Sequence, residues 1–195
     1  CPSRGIAVLT VFAFSSENWN RPAEEVSGLM DILALSLSRE VPKLQRDGVR
    51  IHFVGARDNL SSRVKKGLEE AEAATANNTV LTLNVCFNYG GRWDIASAAA
   101  KLAADGILIT EKSLSGALSL AHCGDPDLLI RTGNEKRLSN FLLWQAAYSE
   151  LYFSTSLWPD FDEGALDSAL LEFWSRERRF GKTSDQITGN LTHDA

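Results

Sequence analysis

At 195 residues and 44% hydrophobic composition, the chain carries enough apolar material for one substantial core, and its length favours one domain over two. Twenty basic residues against 25 acidic ones leave a net charge of −5, which argues against a nucleic-acid module and requires any anion site to be local. Three widely spaced cysteines without a C-x-x-C pair indicate neither a disulfide framework nor a zinc ribbon and fit a reducing cytoplasm. No apolar run reaches the roughly 20 residues of a bilayer span, and no signal segment opens the chain.

The chain begins at Cys1 and enters the run "GIAVLTVFAF" within five residues, which leads us to expect a further segment before it. Ile6 to Phe14 is β-branched, aromatic and apolar, and reads as a buried parallel strand. Pro22, Glu24 and Glu25 suit the first turn of a helix. The helix carries an apolar stripe of Val26, Leu29, Met30, Leu33, Leu37, Val41 and Leu44. Pro42 should kink or fray its last turn, and Asp47-Gly48 should end it. Val49 to Val54 predicts a second strand, Ser61 to Ala76 a second helix and Val80 to Phe87 a third strand. Helices are predicted over Trp93 to Ala104, Ser113 to Ala121 and Asp162 to Arg179. "DLLIR" and Leu151 to Phe153 read as short strands. The alternation predicts an α/β fold with a mostly parallel central sheet flanked by helices. We expect a single domain over residues 1–181 and a polar tail over 182–195.

In such sheets ligands bind beyond the carboxyl ends of the strands, where three polar loops fall: "SSENWNRP", "NYGGRWD" and "RTGNEKRLSN". In the last, Arg131 leaves a strand end, Gly133 permits close backbone approach, and Arg137 and Ser139 add donors near the start of a following helix. Guanidinium forks, backbone N–H groups and a helix N-terminus suit a diphosphate, and a solvated loop with surface ion pairs is the alternative. In the first loop Arg21 is a candidate anion clamp and Trp19 a flat apolar wall, with Ser15, Ser16, Glu17 and Asn18 as orienting groups. Their structural alternative is a turn built on Asn18 and Asn20, with Trp19 plugging the core. Glu150, among apolar neighbours, either pairs with an arginine or holds a hard cation. "RERRFGK" reads more readily as basic charge at a helix end than as a phosphate contact. His52, His122 and His193 have no metal-ligand spacing.

Taken together, "LTVFAFSSENWNRP", "LTLNVCFNYGGRWDI", "DLLIRTGNEKRLSNFLLWQAAYSELYF", "LWPDF" and "RERRFG" resemble the undecaprenyl diphosphate synthases, the bacterial cis-prenyltransferases, from about Gly5 to Gly181. The resemblance implies condensation of isopentenyl diphosphate units onto farnesyl diphosphate, giving a lipid carrier for cell-wall synthesis. It implies a homodimer, Mg²⁺, a hydrophobic tunnel for the growing chain and transient peripheral contact with a membrane. It further implies that Ser15, Ser16, Glu17, Trp19 and Arg21 contact substrate, that Asn18 stands at the position assigned to proton transfer, and that Arg131, Arg137, Leu138 and Ser139 form the isopentenyl diphosphate site. Glu150 corresponds to a Mg²⁺ ligand, and Arg179 and Gly181 to an element reaching the partner subunit's diphosphate. We expect Arg21, Arg131 and Arg137 to meet a common anion. A carboxamide is too weak a base to take the proton outright, so Asn18 is expected to orient a hydroxyl or a diphosphate oxygen.

Three departures from the family pattern carry expectations. The family's first strand and its Asp-Gly-Asn-Gly-Arg loop are absent from these residues, so the chain as written is expected to be inactive, the alternative being a non-catalytic dimer partner. Asn134 stands where a second Gly is usual, and Lys136 where a His is common; Asn134 can still adopt the left-handed conformation the loop needs. Cys86-Phe87 replaces smaller residues, and Phe87 in the tunnel would shorten the product.

Overall fold

The structure is a computed structural model and describes residues 1–176. The expectations for Arg179 and Gly181 lie outside the described residues. The described residues form two compact units: Cys1–Gly124 with Asn140–Leu142, and Asp125–Ser139 with residues 143–176.

The first unit is built on β1 (Val8–Ser15), α1 (Ala23–Arg46), β2 (Val49–Val54), α2 (Ser62–Thr75), β3 (Leu81–Tyr89), α3 (Gly91–Ala104) and α4 (Glu111–Ala117). Its strands form a wholly parallel sheet in the order β1-β3-β2. Val11 pairs with Val85, and Phe53 with the same Val85 from the other side. The sheet is therefore centred on β3, and β3 supplies much of what is buried: Leu81, Asn84, Cys86, Phe87, Asn88 and Tyr89.

Alternation decides where the core sits. Side chains two residues apart share a face of a strand, and the face carrying Phe87 and Phe53 receives α1 and α2. There Phe14, Val26, Leu60, Val64, Leu68 and Phe87 form a buried cluster, with Trp19, Leu29, Met30, Leu33, Leu37 and Phe53 packed around it. The apolar stripe read from the sequence is the face that α1 turns inward. Ile32 and Leu35 on the other side of the same helix are exposed.

Helix α1 runs through Pro42 to Arg46 and ends at Asp47 and the left-handed Gly48, as expected. Two other boundaries differ from expectation. Helix α4 runs over Glu111–Ala117 rather than Ser113 to Ala121. Thr110 caps it, accepting from Ser113 N–H at 3.1 Å, and its far end is drawn away by the buried Asp94. Asp94 Oδ1 accepts from both the backbone N–H and the hydroxyl of Ser119, so the Ser119 N–H cannot extend the helix. Tyr89 donates to the other carboxylate oxygen at 3.0 Å, which leaves that buried charge well hydrogen-bonded.

The second unit holds β4 (Leu128–Arg131) and β5 (Glu150–Phe153), paired in parallel with Leu128 opposite Glu150 and Arg131 opposite Phe153. Its helix α5 spans Glu163–Ser175, with Asp162 Oδ1 capping Ala165 N–H. The helix stops short of the predicted Arg179: Arg176 is already extended. The parallel pairing expected of the sequence is thus present in both units, as three strands in one and two in the other.

Candidate functional site

The "SSENWNRP" loop leaves β1 as a turn of 3-10 helix over Ser16–Asn20. Ser15 N–H donates to Asn18 Oδ1 at 2.8 Å, one half of a capping box. The carboxamide oxygen of Asn18 is therefore committed to the backbone, leaving its NH₂ group as the part able to orient a ligand. Trp19 closes edge-on against Phe14, with centroids 5.3 Å apart, and donates its indole N–H to Asn88 Oδ1 at 2.8 Å. It is a plug on the core with its polar atom satisfied, which is the structural alternative weighed for it. Arg21 lies beside Glu25 at 2.7 Å, an i,i+4 surface pair with both side chains about half exposed.

Glu17 is the most elaborately held member of this loop. Oε1 accepts from Asn140 Nδ2 at 2.6 Å and Oε2 from the Ser16 hydroxyl at 3.1 Å. Partial burial would raise its pKa, but the hydrogen bonds from its own backbone, Asn140, Ser16 and Ser15 outweigh this, and the carboxyl is held below its ordinary range. Asn140 was not singled out by sequence reasoning. Its only signal is its place as the last residue of "RTGNEKRLSN".

In the second unit, Arg131 at the end of β4 donates from Nη1 to the carbonyl oxygen of Arg137 at 3.0 Å and to Ser139 Oγ at 2.9 Å. These contacts gather three of the predicted anion-site residues around one guanidinium. Arg137 pairs with Glu135 and is well exposed, and Leu138 is half-buried. Two other expectations fail here. The N–H groups of Gly133 and Asn134 donate to Ser156 O at 2.7 Å and Ser154 O at 2.9 Å, so the loop spends these amides on its neighbour and has none of the two left for an anion. No α-helix starts at Ser139 either. Ser139, Asn140 and Leu142 all have positive φ, and the next element is a 3-10 turn over Gln145–Tyr148. Asn134 does adopt the left-handed conformation, at φ 57°.

Glu150 begins β5 and faces Arg176, whose Nη1 donates to Oε2 at 2.8 Å; Arg176 also pairs with Glu172. The bonds to Glu150 and then Glu172 raise the guanidinium's pKa further. Among the described residues no group of three His, Cys, Asp or Glu side chains is placed to hold a metal ion. Glu150, at 25% side-chain exposure and paired with Arg176, could serve a hard cation as one ligand beside substrate oxygens.

A polar cluster lies on the other face of the first sheet. Thr10, Asn84 and His52 form one cross-strand row. Asn84, fully buried, donates to Thr10 Oγ1 at 3.2 Å and Cys123 Sγ at 3.5 Å and accepts from His122 Nε2 at 3.0 Å. His52 lies against His122, with ring centroids 4.5 Å apart.

The described residues thus combine parallel α/β sheets, polar loops at strand ends and an arginine bonded to a serine hydroxyl. Comparison with known proteins gives the chain its family. A family model described as "Putative undecaprenyl diphosphate synthase" matches residues 1–181. An isoprenyl transferase of Neisseria gonorrhoeae is 54% identical over 188 residues, covering 96% of this chain and 76% of the relative. A Pseudomonas aeruginosa relative named ditrans,polycis-undecaprenyl-diphosphate synthase ((2E,6E)-farnesyl-diphosphate specific) is 51% identical, covering 96% and 77%. Among solved structures, "a probable undecaprenyl diphosphate synthase" from Campylobacter jejuni superposes with a TM-score of 0.89 at 36% identity, covering 93% of this chain and 86% of that one. Lavandulyl diphosphate synthase from Lavandula x intermedia, solved with dimethylallyl diphosphate, superposes at 0.87 with 37% identity, covering 93% and 81%. The chain belongs to the undecaprenyl diphosphate synthase family of prenyltransferases.

Proposed function

We propose that the protein is a cis-prenyltransferase that condenses isopentenyl diphosphate units onto farnesyl diphosphate to form undecaprenyl diphosphate, with residues 1–181 as a single domain that needs the family's Asp-Gly-Asn-Gly-Arg loop for activity. The observation that carries this reading is the pre-set Arg131, held by Arg137 O and Ser139 Oγ, in a chain about half identical to relatives bearing that name.

Arg131, Arg137 and Ser139 bind the isopentenyl diphosphate. A guanidinium already fixed by two hydrogen bonds loses little freedom when an anion arrives, so its binding energy goes to placing the substrate. The reaction breaks the allylic carbon–oxygen bond of the starter, and the fixed cations stabilise the charge that gathers on the leaving diphosphate. Asn18, its oxygen held by Ser15 N–H, offers its NH₂ group to orient the oxygen that accepts the proton lost from the isopentenyl unit. Glu17 and Ser16 shape the same turn, and Arg21 supplies a further cation by exchanging Glu25 for substrate. Mg²⁺, with Glu150 as one ligand, would supply further neutralisation of the diphosphate.

A homodimer is supported by large apolar side chains left exposed in the second unit: Tyr148, Leu157, Trp158, Leu171 and Trp174, each more than 60% accessible. No described helix is long and apolar enough to cross a membrane; contact with a bilayer, and residence in the cytoplasm, belong to the proposal.

The test is incorporation of labelled isopentenyl diphosphate into a butanol-soluble product in the presence of farnesyl diphosphate and Mg²⁺. Incorporation by the protein on its own supports the enzyme. Incorporation only after mixing with a related subunit altered at its Arg-x-Gly element supports a non-catalytic partner. The chain as written is expected to give none alone; no incorporation with the family's first strand and Asp-Gly-Asn-Gly-Arg loop joined ahead of Cys1, alone or mixed, overturns both.

A further inference from the structure

Asn140 engages its backbone oxygen and both polar atoms of its side chain, and does so on two different elements of the first unit. Its backbone oxygen accepts from Gly91 N–H at 2.7 Å and its Oδ1 from Arg92 N–H at 2.9 Å. Those are the first amides of α3, which has no side-chain cap of its own, since Gly90 precedes it. Asn140 is therefore an N-cap delivered from 48 residues away. The other side-chain group, Nδ2, donates to Glu17 Oε1 at 2.6 Å.

The surroundings are shaped for this side chain. A Cβ on Gly90 would come within 2.6 Å of Asn140 Nδ2 and of Ser16 Oγ, so only glycine lets the amide and the serine turn approach each other. Asn140 itself sits at φ 62°, a conformation asparagine tolerates better than most residues. The strain that follows at Leu142, φ 45°, is held in place by burying that side chain to 2% exposure.

We propose that Asn140 is a positioning residue of the prenyl transfer reaction: it orients Glu17 in the substrate turn by locking the Glu17 carboxylate to the N-terminus of α3. The effect on turnover rests on the function proposed above; the locking of Glu17 does not.

Aspartate separates the two jobs of the side chain. In Asn140→Asp the Oδ1 acceptor is kept, and aspartate caps helices as well as asparagine does. The donor to Glu17 is replaced by a second acceptor, and two carboxylates then face each other. Asn140→Ala removes cap and donor together. The experiment uses the full chain and follows three readouts: thermal unfolding, the titration of the Glu17 carboxyl by carbon-detected NMR, and the kcat and KM of isopentenyl incorporation.

The expected result is that in Asn140→Asp the Glu17 carboxyl titrates above the parent's, melting near neutral pH falls by the repulsion this introduces, and kcat falls at least about tenfold, more than KM changes. Asn140→Ala should melt lower and also release Glu17. If Glu17 titrates in Asn140→Asp as in the parent, or kcat is unchanged in a protein that turns over, the residue is a structural cap only and the proposal is wrong. Kinetics are read on the protein carrying the family's first strand and Asp-Gly-Asn-Gly-Arg loop ahead of Cys1; if that protein shows no turnover, the function proposed above fails, and the titration still decides whether Asn140 holds Glu17.

Discussion

The ring of Phe87 stacks on that of Phe14, centroids 5.2 Å apart and planes 29° from parallel. Both are almost fully buried under α1 and α2. This is the apolar space of the first unit, and Phe87 fills it from the central strand. Phe87→Ala should open it, lengthening the polyprenyl product while costing about 3 kcal/mol of stability. Thin-layer analysis of the dephosphorylated products checks the first effect; an unchanged length removes Phe87 from the determinants of product size.

The paired imidazoles predict a pH dependence. Burial, then the neighbouring His122 and Arg50, lower the pKa of His52, with Glu72 opposing. Burial and Arg50 lower that of His122, with a hydrogen bond from its ring to the Ser119 backbone opposing. Both rings are therefore harder to protonate folded than unfolded. Below the unfolded value of about 6.5 the unfolded chain binds more protons, so stability is full above that pH and falls as pH drops through it toward the folded values. Thermal midpoints measured from pH 7.5 to 5.5 should decline, and His122→Gln should flatten the decline.

Asn88 is the hinge on which Trp19 rests. Its Oδ1 accepts from the indole, its Nδ2 donates to Ala56 O at 2.7 Å, and its φ is 54°. Asn88→Gly keeps the backbone conformation and removes both side-chain bonds, which should cost about 1–3 kcal/mol through the buried partners left unpaired. Trp19 emission should shift to the red. Asn88→Ala should be worse still, because alanine resists the left-handed backbone.

The sequence made the strands and helices legible where one physical signal dominated. The stripe on α1 and the β-branched run of β1 each left one reading. It misled where a distant group intervened: Asp94 captures Ser119 and shortens α4, and the amides of Gly133 and Asn134 turn to Ser154 and Ser156. Trp19 and Arg21 illustrate a different limit. Their types announce a polar site, yet in this structure one plugs the core and the other pairs with Glu25. Asn140 was invisible because its partners lie 48 and 123 residues away, and a long-range cap leaves no local pattern.

The exposed Trp158 stacks on Phe161, and Trp174 lies on α5, 62% accessible as a residue. If the apolar surface of the second unit seals a dimer, Trp174→Glu should move the protein from dimer to monomer in sedimentation at micromolar concentration, with little change in the far-ultraviolet spectrum. A dimer of unaltered affinity would place the interface elsewhere.

Arg131 offers the most direct test of the central claim, that its fixed guanidinium is the anchor of a diphosphate. Isothermal titration of isopentenyl diphosphate into the full chain and into Arg131→Lys compares a fork with a point charge on the same anion. We predict saturable binding by the parent and a loss of at least about tenfold in Arg131→Lys. Equal affinity in the two proteins would contradict the account.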